Sequence, residues 1–139
     1  MSISIRPVDA NFVQQVWPLV EGHLQSALDK GEGPADYNIH HVQMFLTSGQ
    51  WLLLVATDED NIVHGAATVS FINYPMHRVA FITAIGGKLI SNQETFEQLR
   101  KLMKSYGATK IQGFGRESIV RLWQRYNFEP RHTLVEVLL

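Results

Sequence analysis

A single α/β (α+β) domain, built on a mixed and mostly antiparallel sheet, is the fold class that the sequence predicts. The chain has 139 residues, the size of one ordinary domain, and 45% of them are hydrophobic, which is enough for one core. Apolar runs typical of strands are interleaved with apolar stripes of helical period. Short polar turns between the middle strands favour antiparallel neighbours, whereas a helical crossover later in the chain predicts one parallel pair. We therefore expect residues 1–139 to form one domain.

Composition and charge argue against several classes of protein. Lys and Arg total 12 and Asp and Glu total 13, so a net charge of -1 makes nucleic-acid binding and a polybasic membrane surface unfavoured hypotheses. The absence of cysteine excludes disulfides, cysteine-based zinc sites and thiol nucleophiles. No apolar run approaches the ~20 residues that span a bilayer, and residues 1–8 lack a signal-peptide pattern. We expect a cytoplasmic protein without a metal or membrane site.

The first half of the chain is predicted to fold as β-α-α-β-β-β. Asp9 can cap the helix that follows the first strand, and Pro18 within that helix predicts a kink or two abutting helices. Gly65 predicts a bulge inside the third strand. The remaining predicted elements are the first strand at residues 2–8, a loop at 31–34, a helix at 38–48, and strands at 51–57, 62–74 and 78–85.

The second half is predicted to fold as α-β-α-β. Gly86 and Gly87 are expected to break the fourth strand, and Ser91 with Glu94 is a capping-box pattern for the next helix. A strand at 108–113 follows this crossover helix and should lie parallel to the fourth strand. The last predicted elements are a helix at 117–126 and a closing strand at 132–139. The whole order is β-α-α-β-β-β-α-β-α-β, a sheet of about six to seven strands flanked by helices.

Two short motifs add detail to this order of elements. Gly107-Ala108 ends a helix before a strand, and Asn127-Phe128-Glu129-Pro130 ends the last helix. Together with the element order, they resemble the GNAT (N-acetyltransferase) family, whose corresponding segments end in "GA" and "GF-x-P". The double glycine at 86–87 and Gly115-Arg116 are similar to GNAT-like proteins encoded by bacteriophages. The resemblance implies acyl transfer from acetyl-CoA to an amine acceptor.

The chain departs from the GNAT pattern at two motifs. The acyl-CoA loop of the family, Arg/Gln-x-x-Gly-x-Gly/Ala, corresponds to residues 84–92, where the arginine is missing and the glycine spacing differs. Trp123 stands where the family often has a tyrosine acid, and an indole donates no proton to a leaving thiolate. Arg116 stands at the family's asparagine position. It is predicted to bind an anionic group, or else to pair with Glu117.

The resemblance also implies a set of cofactor-binding residues. Main-chain groups of Ile82 and Ala84 would pair with the pantetheine arm of acetyl-CoA, the alternative being an ordinary pairing between strands. Gly86 and Gly87 would let the backbone approach the pyrophosphate, and Lys88 would supply positive charge. The alternative for the glycine pair is a simple strand-to-helix turn.

Catalysis of amine acylation is helped by a base, because a protonated amine has no lone pair for attack. His77, where the third strand turns into the fourth, is the predicted base. His64, His40 and His41 are further candidates, and each of these four histidines is also compatible with a lone surface position. Tyr126, one turn beyond Trp123, is the predicted proton source, although tyrosines on such helices often pack in the core.

The alternative function is a GNAT-fold protein that has lost its chemistry. Such a protein would bind a protein partner or a second copy of itself, and a phage version would lie in the virion or the host cytoplasm. The two altered motifs favour this alternative, since fold alone does not imply function. Tyr37 and Tyr74 are predicted to line the acceptor cleft if the protein is an enzyme.

Overall fold

A computed structural model gives the fold and describes residues 2–31 and 36–139. The predicted loop at 31–34 lies, apart from its first residue, outside the described residues. Two short 3-10 turns are formed by Ala10–Phe12 and Gln124–Tyr126. The main elements are β1 (Ser4–Val8), α1 (Val13–Asp29), α2 (Ile39–Thr47), β2 (Leu52–Thr57), β3 (Val63–Asn73), β4 (Arg78–Gly87), α3 (Gln93–Ser105), β5 (Lys110–Gly113) and α4 (Glu117–Trp123).

The strands form one mixed sheet in the order β1-β2-β3-β4-β5. Strands β1 to β4 are antiparallel neighbours, whereas β5 lies parallel to β4, with Lys110 opposite Val79 and Gly113 opposite Ile82. The α3 crossover explains this parallel pair, because parallel neighbours need a long connection. The predicted mixed sheet and its parallel pair are therefore confirmed.

The predicted closing strand at 132–139 is absent from this structure. Residues 131–139 make no ladder and are exposed along their whole length, so the described sheet has five strands instead of the expected six to seven. The sequence of this segment favours an extended backbone, but a strand also needs a partner edge that accepts its hydrogen bonds. Among residues 2–31 and 36–139, no strand edge pairs with this segment.

Two apolar layers cover the two faces of the sheet. Successive side chains of a strand point to opposite faces, and β2 shows this clearly. Leu53 packs with α1 and α2, through residues such as Val20. Leu54 packs with α3 and α4, through residues such as Leu99 and Trp123.

Three local predictions about helices and strand ends need correction. The cap of α3 is Asn92, whose side chain accepts from the N–H of Thr95, and not Ser91. Helix α1 is one continuous element across Pro18, so the alternative of two abutting helices is wrong; Pro18 lies on the exposed side, where water can replace the lost hydrogen bond. Gly86 and Gly87 do not break β4 but form its last two residues, opposite Ala66 and Gly65.

Candidate functional site

Strands β4 and β5 separate halfway along the sheet. Their pairing ends at Ile82 and Gly113, although β4 continues to Gly87. Beyond Ile82, the β5 side of β4 has no strand partner among the described residues. The structure therefore leaves this edge of β4 open beside Ile82 and Ala84, the residues that the resemblance assigns to the pantetheine arm. This opening between β4 and β5 is called the gap.

A β-bulge lies at the same point of β4. Val69 of β3 pairs with Ile82 and Thr68 pairs with Ala84, so Thr83 is an extra residue on β4. The bulge reverses the alternation of side chains, because Ile82 packs with the α3 layer and Ala84 with the α1 layer. Bulges next to active sites re-aim groups of the strand in this way.

Thr83 is held in place from two sides. Its hydroxyl lies 2.7 Å from the hydroxyl of Thr68 and donates to the main-chain oxygen of Thr68 at 3.1 Å. Its own main-chain oxygen accepts a 2.6 Å hydrogen bond from the hydroxyl of Tyr37. Burial raises the pKa of Tyr37, and the carboxylate of Asp36 raises it further, so this phenol stays protonated at neutral pH.

A cavity of about 620 Å³ lies beside Tyr37, between the end of α1 and the start of α2. Its polar lining includes Asp29, whose carboxylate accepts from Gln25 at 2.9 Å. The Nδ1 atom of His41 accepts from the N–H of Asn38 at 3.1 Å, so this histidine belongs to the cap of α2. His40 is exposed on α2 and also lines the cavity.

The glycine pair is packed against its neighbours. A side chain at Gly86 would overlap the main chain of His23 on α1, and one at Gly87 would overlap the carbonyl oxygen of His64. Gly87 has a φ of +69°, a backbone region that favours glycine. The N–H of Lys88 donates to the carbonyl of His64 at 2.9 Å, while its side chain is exposed. Close approach of α1 to β4 is thus one physical reason for glycine at position 86.

Arg116 lies on the loop between β5 and α4. Its Nε donates to the hydroxyl of Ser118 at 3.1 Å, and its guanidinium reaches the carbonyl of Lys30 at the end of α1, at 3.5 Å. Phe114 on the same loop is 72% exposed and packs edge-on against Phe81 of β4, with ring centroids 5.1 Å apart. This loop therefore forms one wall of the gap.

The aromatic residues of α4 and of the turn after it point into the α3 layer. Trp123 is buried beside Gly113, at the last pair of β5 with β4. Tyr126 stacks on Phe96, with ring centroids 5.2 Å apart. The structure thus gives Tyr126 a packing role on α3 and brings Trp123 closer to the gap.

His77 lies at the other end of β4. Its Nδ1 is 2.9 Å from the hydroxyl of Thr109, in the turn before β4 begins at Arg78. At ~3.3 Å per strand residue, the bulge at Thr83 is ~20 Å away. The structure does not bring the predicted base His77 together with Ile82, Ala84 and the open edge.

An Asp–His pair joins the ends of the β2–β3 hairpin, and the sequence reading missed it. A register shift leaves His64 as an extra residue beside Gly65, at the predicted bulge. The Nε2 of His64 lies 2.8 Å from the Asp58 carboxylate, which also accepts from the N–H groups of Asp60 and Ile62. The sequence does carry a sign of this pair, because Asp58 precedes His64 by six positions and a turn separates the two residues.

No metal centre or membrane span is found in the part of the chain that the structure describes. Within residues 2–31 and 36–139, no three histidine or acidic side chains come together as metal ligands. Among the same residues, no helix has the length and apolar character to cross a bilayer.

The comparisons with known proteins support the fold assignment. The sequence matches no protein-family model and no curated protein at a significant level. The structure is similar to a GCN5-related N-acetyltransferase from Ralstonia eutropha, at 12% identity, a TM-score of 0.68 and coverage of 99% of both chains. It is also similar to an aminoglycoside acetyltransferase from an uncultured soil metagenomic sample, at 15% identity and a TM-score of 0.68, covering 100% of this chain and 99% of the other.

A predicted acetyltransferase from Clostridium acetobutylicum, solved with acetyl-CoA, is a third similar structure. It has 16% identity and a TM-score of 0.64, with 99% of this chain and 96% of the other covered. At these identities the likeness establishes the fold and not the activity. The part of the chain that the structure describes has a fold similar to that of these acetyltransferases.

Proposed function

We propose that this protein binds an acyl-CoA thioester along the open edge of β4 and transfers the acyl group to an amine. The observation that carries the proposal is the bulge at Thr83, at the point where β4 and β5 separate. An unpaired strand edge offers main-chain N–H and C=O groups that can pair with an extended chain. The pantetheine arm of CoA is such a chain, because it contains two amides. The likeness to an acetyltransferase solved with acetyl-CoA supports this ligand class.

The residues of the gap fit the pantetheine arm better than the pyrophosphate. Main-chain groups of Ile82 and Ala84 are the proposed partners of the arm. The phosphates would depend on the exposed side chains of Lys88 and Arg116, because the N–H of Lys88 is already bonded to His64. Glu94 in the first turn of α3 disfavours an anion at that helix start. We therefore expect weaker binding than in family members with an intact loop.

The proposed reaction is a direct attack of the amine on the thioester. The amine nitrogen forms a bond to the carbonyl carbon, the C–S bond breaks, and CoA leaves as a thiolate. Main-chain N–H groups near the bulge would stabilise the transient oxyanion, while the hydroxyl of Tyr37 holds the carbonyl of Thr83 in place. The amine proton would pass to His40, which lines the same cavity as Tyr37. His77 would serve as the base only for an acceptor bound at the far end of β4.

Calorimetric titration with acetyl-CoA tests the binding step. We expect saturable binding to the unmodified chain, about 10- to 100-fold weaker in Lys88→Ala and in Arg116→Ala, because each change removes one charged donor. Lys101→Ala removes an exposed lysine from α3 and is the matched control, with no expected change. Absence of binding to the unmodified chain would end the proposal.

Thioester consumption against a broad panel of amines tests the chemistry. We expect His40→Gln to lower the rate by about 10²–10⁴, and His77→Ala and Tyr126→Phe to leave it nearly unchanged. The opposite ranking would restore His77 and Tyr126 as the acid–base pair. Saturable binding without consumption of any thioester would instead support the second candidate, a non-catalytic binding protein. Trp123, at the position of a proton donor, favours that candidate.

A further inference from the structure

The segment of residues 131–139, called here the tail segment, carries large apolar side chains that are mostly exposed to water. Leu134 is 68% exposed, Val135 85%, Val137 79% and Leu138 89%, and Leu139 is exposed as well. The same chain buries Leu24, Leu53 and Leu99 almost completely. Contiguous exposed apolar surface of this kind marks an interaction site in a folded protein.

The tail segment has the residue pattern of a strand covered on both faces. In an extended backbone, Val135, Val137 and Leu139 would share one face, with Leu134 and Leu138 on the other. Valine and leucine pack well on such a pleated surface. A strand of this composition requires an edge to which its main chain can hydrogen-bond.

The same chain carries a free edge. Strand β5 is the last in the sheet, so its outer side has no strand partner among the described residues. It is also short, Lys110–Gly113, and it holds to the sheet only through β4. An unprotected edge is a template for pairing with another strand.

The tail segment leaves the domain beside this edge. Arg131 and His132 line a cavity of about 330 Å³ together with Lys110 and Gln112 of β5 and Val79 of β4. No ladder forms between the tail segment and its own β5. The start of the tail segment and the β5 edge are therefore neighbours on the surface of each copy, although they do not pair with each other within it.

We propose that two copies of the chain exchange their tail segments, each adding as a sixth strand to the β5 edge of the other. In a dimer with a two-fold axis beside the two β5 edges, each copy gives its tail segment to the other and receives the other's tail segment on its own β5. Both tail segments and both edges are then paired. If a strand of a different protein paired with β5, the tail segment would stay exposed. If the tail segment paired with a strand edge of a different protein, β5 would stay open. A second copy is the partner that covers both features.

Light scattering coupled to size exclusion tests the proposal on the full chain. We expect a dimer, converted to a monomer by Val135→Asp combined with Val137→Asp. Ile62→Asp is the matched control, since this apolar side chain is also exposed, at 57%, but lies before β3, at the other end of that strand from Tyr74 and the cavity beside the tail segment. It should leave the dimer intact. A monomeric unmodified chain, or a dimer that survives the double change, would overturn the exchange.

Cross-linking separates exchange from pairing within one chain. The sequence has no cysteine, so single cysteines can be placed at will. Chains with Gln112→Cys are refolded together with differently tagged chains carrying Thr133→Cys or Glu136→Cys, then treated with a short bifunctional maleimide. We expect cross-links between the two tags. Cross-links only within single chains that carry both cysteines would show that the tail segment covers its own β5, against the proposal. Neither readout depends on acyl-CoA binding.

Discussion

The hydroxyl of Tyr37 donates a 2.6 Å hydrogen bond to the main-chain carbonyl of Thr83, 46 residues further along the chain. This contact joins the start of α2 to the bulge of β4, the two parts of the molecule that flank the candidate site. The phenol must keep its proton to donate. Burial, followed by the charge of Asp36, raises the pKa of Tyr37 above its ordinary value of 10.0 and so retains that proton.

Tyr37→Phe should lower the free energy of unfolding by about 0.5–1.5 kcal/mol at neutral pH, since it removes one hydrogen bond. Because the folded chain holds the Tyr37 proton more tightly than the unfolded chain, the contribution is complete below pH 10.0 and declines as pH rises through the folded pKa. Melting temperatures of both proteins, measured from neutral to alkaline pH, should therefore converge above pH 10.0. Tyr74→Phe, at an exposed tyrosine, is the control, and a pH-independent difference for Tyr37→Phe would contradict the assignment.

Leu99→Ala should destabilise the fold by roughly 2–5 kcal/mol, because Leu99 is fully buried between α3 and the sheet and its removal leaves a cavity. Urea unfolding gives this difference from the transition midpoint. Leu19→Ala is the matched change at an exposed position of α1 and should remain within about 0.5 kcal/mol. Equal midpoints for Leu99→Ala and the unmodified chain would mean that α3 packs through another face.

The spacing of apolar residues along the sequence predicted most of the helices and strands. This works because buried side chains recur about every 3.6 residues on a helix and every second residue on a strand. Leu53 and Leu54 alternate between the two layers, and Phe96, Leu99 and Met103 recur along one side of α3. The missing closing strand shows where this reasoning stops. Alternation gives a segment the propensity to extend, but the partner edge is a property of the whole arrangement.

The open edge of β4 could be expected in position but not in detail. The resemblance to the GNAT family places the pantetheine arm beside Ile82 and Ala84, and the structure leaves the edge of β4 unpaired there. The bulge at Thr83 and its tie to Tyr37 depend on register and long-range packing, which no local pattern reveals. His77 follows the third strand in the sequence, yet β4 runs away from that turn, so His77 lies at the opposite end of β4 from the bulge and the glycine pair.

Asp58→Asn should lower the melting temperature at neutral pH, because Asp58 anchors the β2–β3 hairpin through His64 and through two main-chain N–H groups. The hydrogen bond from His64 lowers the pKa of Asp58 most, burial opposes this, and the two N–H groups lower it further. The folded pKa is thus below 3.8, so the contribution is present above pH 3.8 and lost as pH falls through the folded pKa. Thermal melts from neutral to acid pH should show the two proteins converging there.

Asp60→Asn is the control for this measurement, since Asp60 is exposed and contributes to the turn through its main-chain N–H. Its melting temperature should follow that of the unmodified chain at every pH. If the difference for Asp58→Asn persisted at the lowest pH, the carboxylate charge would not be its cause.

Gly86→Ala should destabilise the protein by roughly 1–3 kcal/mol or more. The added methyl group would overlap the main-chain carbonyl of His23, so α1 and β4 would have to separate. Because main-chain atoms form the obstacle, no side-chain rotation can relieve it. Chemical denaturation measures the loss, and circular dichroism confirms that the variant still folds.

Gly22→Ala is the matched control, because Gly22 lies one residue before His23 on the same helix and a side chain there meets nothing within 4 Å. Alanine within an exposed helix is favoured over glycine by about 0.5–1 kcal/mol. The two glycine-to-alanine changes should therefore have opposite signs. A stabilising Gly86→Ala would mean that α1 does not rest on β4, and the packing reason for glycine at position 86 would be wrong.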